Sequence, residues 1–102
     1  MSDFNELINS KKPTLVDFYA DWCSPCQTLL PIVEKLSIEY DGKVEIQKVN
    51  IDENENLAEL YGIRSIPALL FINKGLVVDR TNGLVAEEHL RAKLNNLLDK
   101  VI

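Results

Sequence analysis

The sequence is poor in the residue types on which several functional classes depend. Its 102 residues include two cysteines, one histidine, four glycines and four prolines. Two cysteines cannot form the disulfide framework that stabilises small secreted domains. Basic residues are also few, since 11 lysines and arginines stand against 16 acidic residues and leave a net charge of −5. The chain therefore lacks the basic surface that phosphate groups require, and we expect no nucleic-acid partner.

Long apolar segments are absent as well. No apolar run approaches the ~18 residues that a membrane-spanning helix needs. The N-terminal stretch, MSDFNELINS, has neither the basic start nor the apolar centre of a secretory signal. We therefore expect a cytoplasmic protein with no membrane association. A length of 102 residues suits one compact domain with a single core, and we expect it to cover residues 1–102.

Apolar periodicity and turn residues predict alternating helices and strands. Thr14–Ala20 is a nearly continuous apolar run, as in strands buried on both faces of a parallel sheet. The predicted elements, in chain order, are a helix over Ser2–Ser10, a strand over Thr14–Ala20, a helix from Gln27 to about Tyr40, a strand over Lys43–Ile51, a helix over Glu55–Tyr61, a hairpin of Pro67–Asn73 with Leu76–Thr81, and a helix from about Ala86 to Asp99. Alternation that ends in a hairpin predicts an α/β fold, in which a mixed sheet of about four strands is flanked by about four helices on both faces.

The two cysteines occur together in WCSPC, residues 22–26. They follow the first predicted strand and precede a predicted helix, and α/β sheets usually carry their chemistry beyond the carboxyl ends of strands. At a helix N-terminus the unpaired N–H groups and the helix dipole favour the thiolate, which is the reactive form of cysteine. We therefore predict that Cys23 is an exposed nucleophile, and that Cys26 is shielded and resolves the mixed disulfide on Cys23. Pro25 in the first helical turn stiffens the pair.

Other uses of a cysteine pair are less consistent with this sequence. A zinc site needs about four ligands, and only His89 and carboxylates remain to complete one. Iron–sulfur clusters normally need four cysteines, and c-type haem attachment needs a histidine where Gln27 stands. A structural disulfide across two residues would close too short a loop to stabilise the fold much. The pattern therefore favours redox chemistry, with no metal site.

Four stretches resemble those of the thioredoxin family, in the same order and at familiar spacing. They are LVDFYADWCSPCQTLLP, KVNIDEN, YGIRSIPALLFINKG, and the NG pair before the last predicted helix. The resemblance runs from about Phe4 to the C-terminus. It implies a thioredoxin fold and a protein-disulfide reductase that works through a redox-active Cys23–Cys26 disulfide, with no bound cofactor. It also implies disulfide-containing target proteins and an NADPH-dependent thioredoxin reductase as partners, and we expect a monomer.

Two charged residues of the predicted strands gain a role from this resemblance. Asp17 interrupts an apolar strand, and a buried carboxylate is costly unless it is paired or neutralised. We expect a buried carboxyl with a raised pKa that accepts the Cys26 proton, whereas at a sheet edge Asp17 would simply meet water. Lys48 resembles the family lysine that neighbours this aspartate; the alternative is a solvated or snorkelling strand lysine.

A second group of residues is expected to contact the target. The resemblance implies a cis peptide bond before Pro67, although most X–Pro bonds are trans. The Ile66 backbone would then pair with an extended target peptide, and Gly83 would allow its close approach or serve only as a turn residue. Trp22 is expected as a partly exposed platform beside Cys23 rather than as a core residue. The predicted target-binding residues are Trp22, Ser24, Pro25, Ile66, Pro67 and Gly83, and Leu84 completes an apolar docking patch.

The sequence departs from the usual family pattern at several positions. Ser24 replaces a glycine, Gln27 a lysine, and Ser65 and Ala68 a glycine and a threonine. The N-terminus is also short, so that the strand over Lys43–Ile51 is expected at a sheet edge that is open to pairing. These departures keep the reaction class but leave the redox potential and the partners open. The alternatives are a thioredoxin-fold oxidase or isomerase, a reductant dedicated to one partner, and a non-catalytic binding module.

Ser24 generates the first testable prediction. If its hydroxyl donates to the Cys23 thiolate, it stabilises the dithiol form and raises the redox potential. We therefore expect Ser24→Gly to lower the potential, and each ~30 mV of change corresponds to about 1.4 kcal/mol for a two-electron couple. Redox titration of the variant measures this change, and a higher potential than that of the parent would contradict the hydrogen bond.

Overall fold

The computed structural model describes residues 12–99. Its strands and helices are β1 (Thr14–Tyr19), α1 (Ser24–Glu39), β2 (Glu45–Asn50), α2 (Glu55–Leu60), β3 (Ala68–Asn73), β4 (Leu76–Asn82) and α3 (Glu87–Asp99). The order predicted from Thr14 onward is therefore confirmed. The described part holds three helices, and the further helix predicted over Ser2–Ser10 lies outside the described residues.

The four strands form one mixed sheet in the order β2-β1-β3-β4. β1 pairs in parallel with β2, whereas β1 with β3 and β3 with β4 are antiparallel. Because β1 lies inside the sheet and is covered on both faces, its residues are buried from Thr14 to Phe18. β2 is an edge strand within residues 12–99, as expected for the strand predicted over Lys43–Ile51.

Side chains of β1 alternate between two apolar layers, one on each face of the sheet. Leu15 lies in the layer beneath α1 and α3, and Val16 and Phe18 lie in the layer beneath α2. The first layer contains Leu15, Leu29, Val33, Leu36, Tyr40, Val44, Leu69, Phe71, Leu90, Leu94 and Leu97. The second contains Val16, Phe18, Val49, Leu57, Ala58, Ala68, Leu70 and Ile72. Helices therefore cover both faces of the sheet, as predicted.

Helix α1 begins before the predicted Gln27 because its first turn is built from the cysteine motif itself. Cys23 is the N-cap residue, and Pro25 lies in the first turn. A proline is well accommodated there, since its missing N–H would have had no helical partner. The predicted core face of this helix is confirmed for Leu29, Val33, Leu36 and Tyr40.

An asparagine at the start of a helix usually accepts a capping hydrogen bond from a backbone N–H of the first turn, but the start of α2 lacks this bond. Asn54 is the N-cap residue, but its side chain makes no capping hydrogen bond. Its Nδ2 instead donates to the Asn50 carbonyl oxygen at the end of β2, at 3.0 Å. The side chain therefore ties α2 to the neighbouring strand, close to the region where the cysteines lie.

Leu94 of α3 is fully buried in the first layer, and its truncation tests how much this layer stabilises the fold. We expect Leu94→Ala to lower the free energy of unfolding by about 2–5 kcal/mol, because it removes buried methyl groups and leaves a cavity. Urea denaturation followed by circular dichroism measures this change. Leu76→Ala is the matched control, since Leu76 is 69% exposed, and we expect it to change the free energy by less than about 0.5 kcal/mol. Equal losses in the two variants would contradict the packing of α3.

Candidate active site

The two cysteines lie at the junction between β1 and α1. The Cys23 N–H donates to the Ala20 carbonyl oxygen at 3.2 Å, which turns the chain sharply after the strand. At the start of the helix, the Cys26 N–H donates to the Cys23 Sγ at 3.2 Å. The sulfur of Cys23 is therefore the capping group of α1, in a position where helix N–H groups and the helix dipole favour negative charge.

Cys23 and Cys26 form a disulfide, with their Cα atoms 5.2 Å apart. Both are buried, Cys23 with 5% and Cys26 with 3% of its surface exposed. The prediction that Cys23 is exposed is therefore wrong for this form of the protein. The reason is a small apolar cluster that surrounds the cysteines and consists of Ala20 with the partly buried Tyr19, Ile51 and Ile66. A target must reach the sulfur at the margin of this cluster.

The peptide bond between Ile66 and Pro67 is cis, as predicted. Ile66 packs into the apolar cluster around the cysteines, so this segment lies beside the disulfide although it is distant in sequence. Pro67 is itself buried, because it leads directly into the central strand β3. Its ring therefore does not form part of an exposed docking patch, and the prediction is wrong on this point. Ile66 is the partly exposed residue of the pair.

Gly83 lies next to this proline in space. Its N–H donates to the Pro67 carbonyl oxygen at 2.8 Å, and its φ of 80° falls in the left-handed region that favours glycine. A Cβ added at Gly83 would meet no atom within 4 Å. The backbone angle, rather than crowding by other residues, therefore accounts for glycine here, and close approach of a target stays a prediction.

Trp22 is 69% exposed, which confirms the expected exposed aromatic residue beside Cys23. Its Nε1 donates to Asp52 Oδ2 at 2.9 Å, and the Asp52 N–H donates to Asn50 Oδ1 at 2.9 Å. The indole is thus held by the segment that follows β2. Sequence reasoning missed Asp52, although its place just after a strand parallel to β1 is the signal that points to it.

Asp17 lies in the middle of the sheet and is only 2% exposed. Its neighbours across the strands are Lys48 on β2 and Leu69 on β3. Burial raises the pKa of Asp17 from its ordinary value of 3.8 to about 6, while the charge of Lys48 opposes that rise. Asp17 Oδ1 has no hydrogen-bond partner in the part of the chain that the structure describes. The expected buried carboxyl with a raised pKa is confirmed, and the alternative of an edge position is wrong.

Lys48 was interpreted either as a neighbour of Asp17 or as a solvated strand lysine, and it has features of both. It is the partner of Asp17 in the register of β1 and β2, as the resemblance implied. Its side chain is also 41% exposed, and Nζ lies 3.4 Å from Glu34 Oε1 on α1. Glu34 was missed, because a single acidic residue on a helix carries no sequence signal of its own.

Ser24 and Pro25 are exposed in the first turn of α1. The hydrogen bond to the Cys23 sulfur comes from the Cys26 backbone, and the Ser24 carbonyl oxygen accepts from Thr28 Oγ1 at 3.2 Å. Because the disulfide form contains no thiolate, the proposed donation from the Ser24 hydroxyl stays a prediction.

Two further observations concern residues 12–99 as a whole. They contain no group of three or more histidine, cysteine or acidic side chains that could hold a metal ion. None of their helices has the length and apolar character needed to cross a membrane.

Comparison with known proteins gives a consistent result. A sequence model of the thioredoxin family matches residues 1–96. A thioredoxin of Chlorobaculum thiosulfatiphilum is 47% identical over 90 residues, which cover 88% of this chain and 83% of the relative. Thioredoxin 2 of Chlorobaculum tepidum is 49% identical with the same coverage. A thioredoxin of Synechocystis is 44% identical over 93 residues, or 91% of this chain and 87% of the relative.

The match includes the segments that build the site, from β1 through the cysteine pair to the cis proline. The redox-active group is the Cys23–Cys26 disulfide at the start of α1. Such a pair cycles between dithiol and disulfide by exchange with another disulfide. The chain therefore belongs to the thioredoxin family and is a thiol–disulfide oxidoreductase that reduces protein disulfides.

Proposed function

We propose that residues 1–102 act as a single thioredoxin domain in which Cys23 is the nucleophile and Cys26 the resolving thiol. The observation that carries this assignment is the hydrogen bond from the Cys26 N–H to the Cys23 Sγ at 3.2 Å. A backbone donor at a helix N-terminus stabilises a thiolate on Cys23. Cys26 lies inside the first turn of the helix, after the capping residue Cys23.

The reaction proceeds in two exchanges. The Cys23 thiolate attacks one sulfur of the target disulfide, forms an intermolecular S–S bond and releases the other target sulfur as a thiolate. The Cys26 thiol then loses its proton and attacks the Cys23 Sγ. The Cys23–Cys26 disulfide forms, and the second target sulfur leaves as a thiolate. The target gains the electron pair that the dithiol gives up.

Asp17 is the proposed acceptor of the Cys26 proton. Its side chain lies on the same face of β1 as Leu15, which packs beneath the helix that carries Cys26. A carboxyl with a pKa of about 6 gains and loses a proton close to neutral pH, as a general base in the cell must. Lys48, across the strand, lowers the free-energy cost of the carboxylate that remains after Asp17 has given up its proton.

The proposed target-binding surface surrounds the margin of the apolar cluster. Trp22, Ser24, Pro25 and Leu84 are exposed, and Ile66 is partly exposed. We propose that an extended target segment lies along the backbone of Ile66, because Ile66 packs against the apolar cluster that contains the cysteines. The cis peptide bond at Pro67 and the hydrogen bond from Gly83 fix the path of that backbone.

The proposed partners are disulfide-containing proteins, and a thioredoxin reductase that draws electrons from NADPH returns the disulfide to the dithiol. Similarity to bacterial and cyanobacterial thioredoxins supports these partners. We propose that the protein works as a monomer in the cytoplasm. Its acidic sequence, with no apolar run long enough to span a bilayer, is consistent with that compartment.

The assignment of the two cysteines is tested with single variants. We expect Cys23→Ser to abolish the acceleration of insulin reduction by dithiothreitol, because the attacking sulfur is lost. We expect Cys26→Ser to accumulate a covalent complex with the target, because Cys23 still attacks but nothing resolves the product. Mass spectrometry of the non-reduced mixture detects this complex. A complex in the Cys23→Ser variant instead would reverse the assignment.

The same assay addresses the reductant. With NADPH and a thioredoxin reductase in place of dithiothreitol, we expect insulin reduction to continue and NADPH to be consumed. Activity with dithiothreitol alone would contradict this partner while leaving the exchange chemistry intact. A strongly oxidising redox potential would instead favour a role as an oxidase.

Asp17→Asn tests the buried carboxyl through both stability and rate. Because folding raises the pKa of Asp17, the folded state binds more protons than the unfolded state between pH 3.8 and about 6. The contribution of Asp17 to stability therefore falls as pH rises through this window, by about 3 kcal/mol in total. We expect Asp17→Asn to remove this fall and to be the more stable protein at pH 7. We also expect resolution of the mixed disulfide to slow by on the order of 10²-fold.

Urea denaturation between pH 3 and pH 8 measures the first effect, and single-turnover release of the reduced target measures the second. Asp41→Asn is the matched control, because Asp41 is an exposed acid near the end of α1. We expect this control to change neither profile. If Asp17→Asn is more stable than the parent but resolves the mixed disulfide at the parent rate, Asp17 is not the acceptor of the Cys26 proton.

A further inference from the structure

Glu34 and Lys48 form an ion pair beside the buried carboxyl of Asp17. Glu34 Oε1 on α1 lies 3.4 Å from Lys48 Nζ on β2, and the two side chains are 58% and 41% exposed. Lys48 is at the same time the cross-strand neighbour of Asp17. Lys48 is therefore ion-paired with an exposed carboxylate and is at the same time the strand neighbour of a buried carboxyl.

Asp17 is surrounded largely by apolar side chains, so the charge of the Lys48 ammonium group has a large influence on its carboxyl. On β3 the neighbouring residue is the apolar Leu69. The residues that α1 and α3 contribute to this layer are apolar as well: Leu29, Val33, Leu36, Leu90, Leu94 and Leu97. Among the described residues, the charge that acts on Asp17 is that of Lys48. A change in the position of the Lys48 ammonium group therefore changes the electrostatic field at the Asp17 carboxyl.

Lys48 and Glu34 both line a cleft at the edge of the sheet. The cleft has a volume of about 300 Å³ and is lined by Val33, Glu34, Ser37, Ile38, Ile46 and Lys48. It lies between α1 and β2, which is an edge strand in the described part of the chain. The Lys48 side chain extends to Glu34 at this cleft, while its backbone is in register with that of Asp17.

We infer that Glu34 is a positioning residue, which holds the Lys48 ammonium on the cleft side of the sheet edge and thereby controls how strongly Lys48 acts on the Asp17 carboxyl. Glu34 touches neither the cysteines nor the target. It acts because the ion pair fixes the position of Nζ beside Glu34 and thereby sets how strongly the Lys48 charge is felt at the buried carboxyl. Its catalytic consequence rests on the proposed role of Asp17 as the acceptor of the Cys26 proton.

The physical basis is a difference in how exposed and buried charges respond. An exposed ion pair contributes little to stability, since water screens it. A buried carboxyl responds strongly to a nearby charge, because little solvent screens the field there. The loss of Glu34 is therefore expected to leave the fold almost unchanged while it alters the proton affinity of Asp17.

The test is the titration of the Asp17 carboxyl carbon by NMR in the disulfide form, where Cys23 and Cys26 carry no titrating thiols. We expect the Asp17 midpoint to fall from about 6 toward its ordinary 3.8 in Glu34→Gln. Glu34→Asp keeps a carboxylate, and we expect it to restore most of the parent value. An unchanged midpoint in Glu34→Gln would overturn the inference.

Two further variants show whether Glu34 acts through Lys48. In a Lys48→Gln background, we expect Glu34→Gln to produce no additional shift of the Asp17 midpoint. A shift of equal size with and without Lys48 would overturn the inference, because Glu34 would then act on Asp17 directly. Glu39→Gln removes the same charge from the same helix but contacts Arg91 rather than Lys48. We expect that control to leave the Asp17 midpoint in place.

Kinetics separates this inference from the proposed function. We expect the acidic limb of the pH profile for mixed-disulfide resolution to move to lower pH in Glu34→Gln, together with the NMR midpoint. If the midpoint moves and the kinetic limb does not, the control of Asp17 by Glu34 stands and the proposed proton transfer to Asp17 fails. If neither moves, the control by Glu34 is overturned and the role of Asp17 is unaffected.

Discussion

At the start of α1 the Cys26 N–H donates to the Cys23 Sγ at 3.2 Å, and the rest of the site is arranged around this contact. It forms because the chain leaves a buried central strand, turns within residues 20–23 and enters a helix. The first helical turn then directs unpaired N–H groups at the sulfur, where they favour negative charge. In the proposed mechanism this backbone donor stabilises a thiolate on Cys23, whose sulfur belongs to the apolar cluster that includes Ile51 and Ile66.

In the middle of the sheet, a buried carboxyl lowers the stability of the fold. Asp17 occupies a central position in the sheet that an apolar side chain would fill at lower cost, and burial opposes its ionisation. A destabilising group inside an otherwise consistent core is typical of a functional site. Lys48 reduces the cost of the carboxylate, and the same ammonium group forms an ion pair with Glu34. We infer that the proton affinity of Asp17 depends on a balance of charges that reaches from the core to the surface.

Sequence reasoning was most accurate where the signal is local. The periodicity of α1 and the apolar run of β1 depend on neighbouring residues, and both elements were predicted in nearly the right place. It was least accurate where distant segments meet. Cys23 was expected to be exposed but is covered by Ile51 and Ile66, which come from two other parts of the chain. Glu34 was missed for the same reason, since a single acidic residue on a helix resembles any other until the strand register and the helix orientation bring it to the site. Asp52 was missed although its position just after a strand was a usable signal.

By itself, the sequence determined the chemistry and the class of fold. Two thiols separated by two residues, placed between a buried strand and a helix, define an exchange reaction through the spacing of neighbours along the chain. The tertiary structure alone decided the order of the strands, the burial of Pro67, the hold of Asp52 on Trp22 and the charges around Asp17. The physical reason is that periodicity and motifs report interactions within a few residues. The distance between Asp17, Lys48 and Glu34 depends instead on how β1, β2 and α1 pack against one another.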